Sequence, residues 1–369
     1  MARSQQSIAY FISPHGFGHA TRACAVMEAV QRLYPELRFE IFTQTPAWLF
    51  AESLPGPFGY HSVLTDIGLV QKDSLTEDMA ATVAQLNQLL PFDPPLIQKL
   101  AEQVTALGCR LVLCDIAPMG IAVARQAGIP AVLIENFTWD WIYQGYNHNG
   151  QLSQQIDYLD QLFAAADYHI QTEPVCQPKA VDLTTHPVSR RLRQSPAEIR
   201  RNLGVDEGAK LVLLTMGGMD WDYGLALRGL KAQPGLVVVV PENGSQPAGQ
   251  VENLITLSRN SGIFHPDLVN ACDAVIGKVG YSTLAEVYRA GVPFGYVERP
   301  SFPEASILVD HIKTNMQGLR FLERELQNGS WLTRLPALLA LPSFEPNGAN
   351  GADQIASFVS DLLKERRYL

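Results

Sequence analysis

Two histidines four residues apart, with glycines between them, are the first residues in this chain whose types and spacing could do chemistry. They lie in Ser13-Pro14-His15-Gly16-Phe17-Gly18-His19-Ala20-Thr21-Arg22. An imidazole titrates near neutrality and serves readily as a general base. Gly16 and Gly18 allow a tight turn and the close approach of a ligand. The apolar run Ile8 to Ile12 leads in, and Ala23, Val26, Met27, Val30 and Leu33 lead out at helical spacing. Strand, glycine loop and helix together deliver backbone N–H groups and a positive dipole end to an anion. The plainer alternative is an ordinary strand-to-helix turn carrying surface histidines, and the pattern alone leaves both open. The loop lacks the G-x-G-x-x-G spacing, and no G-x-x-x-x-G-K-[ST] loop occurs. Gly277-Lys278-Val279-Gly280-Tyr281-Ser282-Thr283 has its lysine and hydroxyls in the wrong order for one.

That second stretch continues as Leu284-Ala285-Glu286 and sets two hydroxyls at a helix start with a carboxylate one turn in. The helix terminus, Ser282 and Thr283 could hold a phosphate, with Lys278 adding charge and Glu286 accepting both hydroxyls of a ribose. The same spacing fits a capping box. Asp115 ends the apolar run Leu111 to Cys114. The carboxyl end of a central strand is where open α/β sheets carry functional groups, although Asp115 could equally cap the next helix. Trp139, Asp140 and Trp141 sit in an aromatic segment suited to stacking on a sugar face or a lipid-like chain, or to packing as a loop. Asp220-Trp221-Asp222 has metal-pair spacing but follows a glycine turn, so it reads as surface or acceptor loop and no metal site is expected.

The elements that must position these groups fill a chain of 369 residues, long enough for two cores. Apolar residues make up 47% and charged residues 18%, a core-rich composition that argues against extensive disorder. A net charge of -9 argues against broad nucleic-acid binding. Five scattered cysteines without a C-x-x-C pair read as buried thiols in a reducing, cytoplasmic setting. Met1 to Gln6 runs straight into the first strand, so no signal peptide is expected, and no apolar run reaches the ~18 residues of a membrane span. Strand and helix patterns alternate up to a strand at Tyr168 to Thr172, with loop over 61–80 and a helix from Leu75 to Leu90. Around Ser195-Pro196-Ala197-Glu198 the character changes. Arg190, Arg191, Arg193, Arg200 and Arg201 gather there, as a solvated hinge face or as a cleft wall attracting an anion. A second α/β unit restarts at Lys210, and its first strand again runs into a glycine turn, Gly217-Gly218. The expected organisation is α/β. An N-terminal Rossmann-like unit spans 1–186, a linker 187–201 and a second Rossmann-like unit 202–347. A C-terminal helix over 348–369 carries Ile355, Phe358, Val359, Leu362 and Leu363.

Together these stretches resemble the two-domain GT-B glycosyltransferases, including the branch of the peptidoglycan N-acetylglucosamine transferase. They look closer still to the amino-terminal, glycosyltransferase-like half of the plant L-arabinokinases, over nearly the whole chain. The resemblance rests on His15 to Arg22, Phe137-Thr138-Trp139-Asp140, Arg190-Arg191-Leu192 and Gly277 to Thr283. The sugar-kinase half has no counterpart here, so arabinose phosphorylation is not implied. The resemblance implies a GT-B fold whose two units face a cleft, with the last helix returning to the first unit. It implies His19 as base, leaning on Asp115. Gly16, Gly18, Gly217, Gly218, Lys278, Gly280, Ser282 and Thr283 would lie about the donor diphosphate, Glu286 on the ribose and Glu304 near the donor sugar. His15, Trp139, Asp140 and Trp141 would meet the acceptor. The implied activity is metal-independent, inverting transfer from a nucleotide-diphosphate sugar, UDP-sugar favoured, to a small-molecule or lipid-linked hydroxyl, with no cofactor. Transient contact with a membrane surface and the oligomeric state stay open. A nucleotide-sugar epimerase, a sensor without turnover and an interaction protein on the same fold are the alternatives.

Overall fold

The computed structural model describes residues 7–72, 76–216, 227, 229–242, 248–258 and 261–366. Among them two seven-stranded sheets face each other. The first contains β1 (Ser7–Ile12), β2 (Arg38–Thr43), β3 (Phe58–Ser62), β4 (Cys109–Asp115), β5 (Ala131–Glu135), β6 (Tyr168–Thr172) and β7 (Leu183–Thr185). Its order is β3-β2-β1-β4-β5-β6-β7, all parallel. The second contains β8 (Lys210–Thr215), β9 (Leu236–Pro241), β10 (Gly249–Val251), β11 (Leu254–Leu257), β12 (Ala274–Lys278), β13 (Phe294–Val297) and β14 (Gly318–Phe321). Its order is β10-β11-β9-β8-β12-β13-β14, and only the edge strand β10 is antiparallel to its neighbour. β1 and β5 are buried along their whole length, as continuous apolar runs must be when helices cover both faces of a parallel sheet.

On the first sheet the helices are α1 (Gly18–Leu33), α2 (Ala47–Ser53), α3 (Met79–Leu89), α4 (Pro94–Ala106), α5 (Pro118–Ala127), α6 (Trp139–Gln144) and α7 (Ser153–Phe163). The second half adds α8 (Pro196–Asn202), α9 (His265–Ala271), α10 (Tyr281–Ala290), α11 (Glu304–Asn315), α12 (Glu323–Asn328), α13 (Leu335–Leu339) and α14 (Gly351–Glu365). Ser195 and Glu198 form the capping box that starts α8. The last helix does return. Ile355, Ala356, Val359, Leu362 and Leu363 of α14 share one apolar cluster with Val26 and Val30 of α1, and Tyr34 Oη meets Ser360 Oγ at 2.7 Å. All five cysteines are free thiols. Among the described residues no helix is long and apolar enough to cross a membrane.

Three expectations change. The helix expected from Leu75 begins at Met79, where the Asp78 side chain accepts from the Ala81 N–H. His61 and Ser62, expected at the start of a loop, instead end the half-exposed edge strand β3, paired with Phe42 and Thr43 of β2. Of the arginines near the linker, Arg190 leaves the solvated face, while Arg191, Arg193 and Arg201 stay exposed. Arg190 is buried and bonds Glu286 and Ser53, while Arg193 donates to the Glu52 and Ser53 carbonyls and lies 3.8 Å over the Phe264 ring. They tie α2 to α9 and α10.

Candidate active site

β1 and β4 are neighbours, with Ile12 paired to Asp115, so the loop after β1 and the carboxylate ending β4 emerge side by side. Gly16 takes a positive φ of 70°, turning the chain so that α1 starts at Gly18 with its amino end at the cleft. His19, in the first turn, sets Nδ1 3.0 Å from Asp115 Oδ1. Asp115 accepts from Arg22 as well, Nε to Oδ2 at 2.7 Å and Nη2 to Oδ1 at 2.6 Å. The following residue, Ile116, is held at a φ of 42°, a left-handed conformation unfavourable for a β-branched side chain. Asp115 therefore does not cap α5, whose N-cap is Ala117.

These contacts decide the state of each group. Burial raises the Asp115 carboxyl, but the Arg22 guanidinium outweighs it and holds Asp115 below the usual range, ionised. An ionised Asp115 accepts, so His19 Nδ1 carries the proton and Nε2 is left with its lone pair. Burial lowers His19 from 6.5 despite the hydrogen bond to Asp115, so the ring is neutral at neutral pH. His15 is arranged the opposite way. Its Nδ1 accepts the Leu69 N–H at 3.3 Å, which leaves Nε2 as a donor. Burial, with His19, Arg299 and Lys278 nearby, brings His15 down to about 3. One ring offers a base and the other a hydrogen-bond donor on the same loop.

Across the cleft stands the start of α10. Its N-cap is Gly280, with no side-chain cap, so the Ser282 and Thr283 hydroxyls do not form the alternative capping box. The cleft encloses ≈ 870 Å³ of empty space, its open mouth included. His15, Gly16, Gly18, His19, Lys278, Gly280, Ser282, Thr283 and Glu304 all line it. Burial and the Arg299 charge push Lys278 down to about 8. Glu304, at the first turn of α11, accepts from Asn136 Nδ2 at 2.6 Å, and burial raises its carboxyl.

Other expected site residues lie elsewhere. Trp139 and Asp140 are buried, and Trp141 packs against the first core, so none of the three lines the cleft. Trp139 instead backs both histidines, with ring centroids 5.2 Å from His15 and 6.2 Å from His19. Large aromatic surface is worth most when buried, and here the core took it. Glu286 is buried beside the linker, its Oε1 accepting from Arg190 Nε at 2.9 Å and its Oε2 lying 2.7 Å from His265 Nδ1. It does not line the cleft. Gly217, Gly218 and the Asp220-Trp221-Asp222 segment lie outside the described residues. Among those described, no three His, Cys, Asp or Glu side chains gather as metal ligands.

Glu286 has a pH signature. Burial raises its carboxyl, but Arg190 and His265 outweigh that and take it down to about 2 from 4.5. A depressed folded value contributes stability that is present above about 4.5 and lost as pH falls through about 2. Glu286→Gln should therefore flatten the fall of unfolding free energy across that window, measured by urea titrations at stepped pH. An unchanged slope would show that the pair contributes nothing to folding.

Sequence reasoning passed over Arg22, Asn136, Arg299 and Glu77. Arg299 lines the cleft, stacks 4.6 Å from the Phe302 ring and bonds Glu77 at 2.6 Å, joining the two halves. No spacing signals these partners, because each pair is distant in the chain. Only Arg22 carried a hint, one turn beyond His19 on the same helix face.

No family model matches this chain. It is 29% identical over 364 residues to the L-arabinokinase of Arabidopsis thaliana, an alignment covering 96% of this chain and 34% of that protein. The chain thus spans about a third of the curated relative's length. Among solved structures it superposes on the glycosyltransferase VinC in complex with dTDP, with a TM-score of 0.62, 14% identity, and 97% of this chain and 98% of that one covered. The calicheamicin glycosyltransferase CalG4 gives a TM-score of 0.61 at 14% identity, covering 99% and 95%. The fold is GT-B. A UDP-glucosyltransferase from Polygonum tinctorium shares it at 16% identity, with a TM-score of 0.58 and 99% and 94% covered.

Proposed function

We propose that this GT-B chain is a glycosyltransferase. It moves a sugar from a nucleotide-diphosphate donor, UDP-sugar favoured, to an acceptor hydroxyl with inversion and without a metal. The observation that carries the reading is the opposed pair of histidines, a base on His19 and a donor on His15, facing a helix start rich in N–H groups and cations. In this mechanism His19 Nε2 takes the proton of the acceptor hydroxyl as its oxygen attacks the anomeric carbon. The bond from that carbon to the diphosphate oxygen breaks, and the nucleoside diphosphate leaves with the electron pair. Its charge is met by Lys278, Arg299, the α10 N–H groups, Ser282, Thr283 and the His15 Nε2–H. Asp115 orients His19 and stabilises the imidazolium. That VinC was solved with dTDP on the same fold supports a nucleoside diphosphate in this cleft.

Thermal shift against a nucleotide-sugar panel finds the donor, since a ligand of the folded state raises apparent stability by mass action. Turnover is then read as nucleoside diphosphate released only when acceptor is present. Donor isomerisation without release would instead make it an epimerase, and binding without turnover a sensor. If no nucleotide binds, the transferase reading fails. Lys278→Ala should weaken the donor found by about 1.5–3 kcal/mol, the worth of a hydrogen bond to a charged group. Calorimetry checks it, and an unchanged affinity removes Lys278 from the diphosphate site.

A further inference from the structure

We propose that Arg22 is a positioning residue whose guanidinium clamps both oxygens of Asp115 and thereby fixes the tautomer and charge state of His19. The inference rests on the transferase reading for its purpose but not for its test. Arg22 and Asp115 have side-chain exposures of 1% and 0%. The guanidinium donates twice to Asp115, and its Nη1 donates to Asn136 Oδ1 at 2.7 Å and to Thr172 Oγ1 at 3.4 Å. Its face is covered by the Tyr281 ring, 4.8 Å from the guanidinium carbon, at the first residue of α10. So the clamp on the dyad is packed against the opposite wall of the cleft.

A purely stabilising role explains this poorly. Burying two charges costs more solvation than an apolar pair of the same volume, so an ion pair this dry is a weak stability device. What it does supply is geometry. A carboxylate held by a two-pronged fork cannot rotate, and its remaining lone pair points at His19 Nδ1. Arg22 Nη2 also lies 3.4 Å from that nitrogen. The guanidinium charge is thereby set beside the ring, where it opposes protonation of the imidazole. The charged and titratable groups around His19 are Asp115 on β4, Arg22 on α1 and His15 on the preceding loop. Tyr10 on β1, Tyr281 on α10 and Glu304 on α11 face Arg22 in turn. Among these, Arg22 is the cation nearest the ring and the partner that neutralises Asp115.

The test reads the ring itself. Long-range ¹H–¹⁵N correlations of labelled protein report the tautomer and titration midpoint of each imidazole, with His19 assigned from its loss in His19→Gln. The wild type should show the Nδ1–H tautomer and a midpoint below that of a free imidazole. In Arg22→Gln the lost cation and the released Asp115 charge should raise the His19 midpoint by about 1–3 pH units. Arg22→Lys keeps the buried carboxylate paired and guards against a Gln variant that does not fold. One ammonium cannot grip two oxygens, so its midpoint should rise in the same direction by less. A folded Gln or Lys variant with the wild-type His19 midpoint and tautomer overturns the proposal. No donor or acceptor enters the measurement, so absence of transfer activity leaves it standing, and an unmoved midpoint leaves the transferase reading standing.

Discussion

His19→Ala should bind donor almost as well as the wild type and turn it over roughly 10²–10⁴ times more slowly, the usual contribution of a positioned general base. The expectation follows from where the two ring nitrogens point. Nδ1 is engaged by Asp115 at 3.0 Å, so only Nε2 remains to meet an acceptor hydroxyl. Removing the ring leaves Asp115 paired with Arg22, so no buried charge is orphaned and the fold should survive. Burial places the His19 transition below 6.5, so wild-type turnover should hold level through neutral pH and decline only on the acid side. That acid limb should vanish in His19→Ala. Asp115→Asn should give a smaller loss in the same direction, and the two losses should be far from additive because they act through one ring. His15→Ala is the control. With its Nδ1 taken by the Leu69 N–H, His15 can donate but not accept, so its loss should affect donor binding before it affects the acid limb. Full turnover in His19→Ala together with none in His15→Ala would exchange the two roles.

Asp115→Ala should cost about 3–5 kcal/mol of folding stability, an effect larger than any cleft residue's packing would suggest. The loss would come less from Asp115 itself than from the partner left behind. Arg22 is buried to 1% exposure, and among the described residues Asp115 is the carboxylate hydrogen-bonded to its guanidinium. Stripped of its counter-charge it must stay buried unpaired or pull the first turn of α1 out of place. Urea unfolding followed by tryptophan fluorescence measures this. A double variant, Arg22→Met with Asp115→Leu, carries no buried charge and should recover most of the stability while turnover stays impaired. A single variant less than about 1 kcal/mol below wild type would show that the interior solvates Arg22 in some other way.

Much of the frame is written locally in the chain. The continuous apolar runs of β1, β4 and β5 must be buried strands, and the 3.6-residue spacing of α1 and α14 must be helices, whatever their neighbours do. The glycine loop from Ser13 to Gly18 and the carboxylate at the end of β4 are equally local, because Gly16 needs its positive φ and Asp115 follows its strand. Partner identity is not local. The 96-residue separation of His19 and Asp115 closes only because the strand order places β1 beside β4, a choice of topology that periodicity does not contain. The same placement gives Asp115 to Arg22 and leaves α5 to start without a side-chain cap. It turns Trp139 from an exposed stacking surface into the wall behind two histidines, since a large aromatic gains most by leaving water. It also hands Glu286 to Arg190 and His265, which reach it from the linker and from α9. Sequence by itself determined the elements and the residue types that could do chemistry. Only the tertiary structure decided which nitrogen of each histidine faces the cleft, because a tautomer is set by the partner on the other side of the ring.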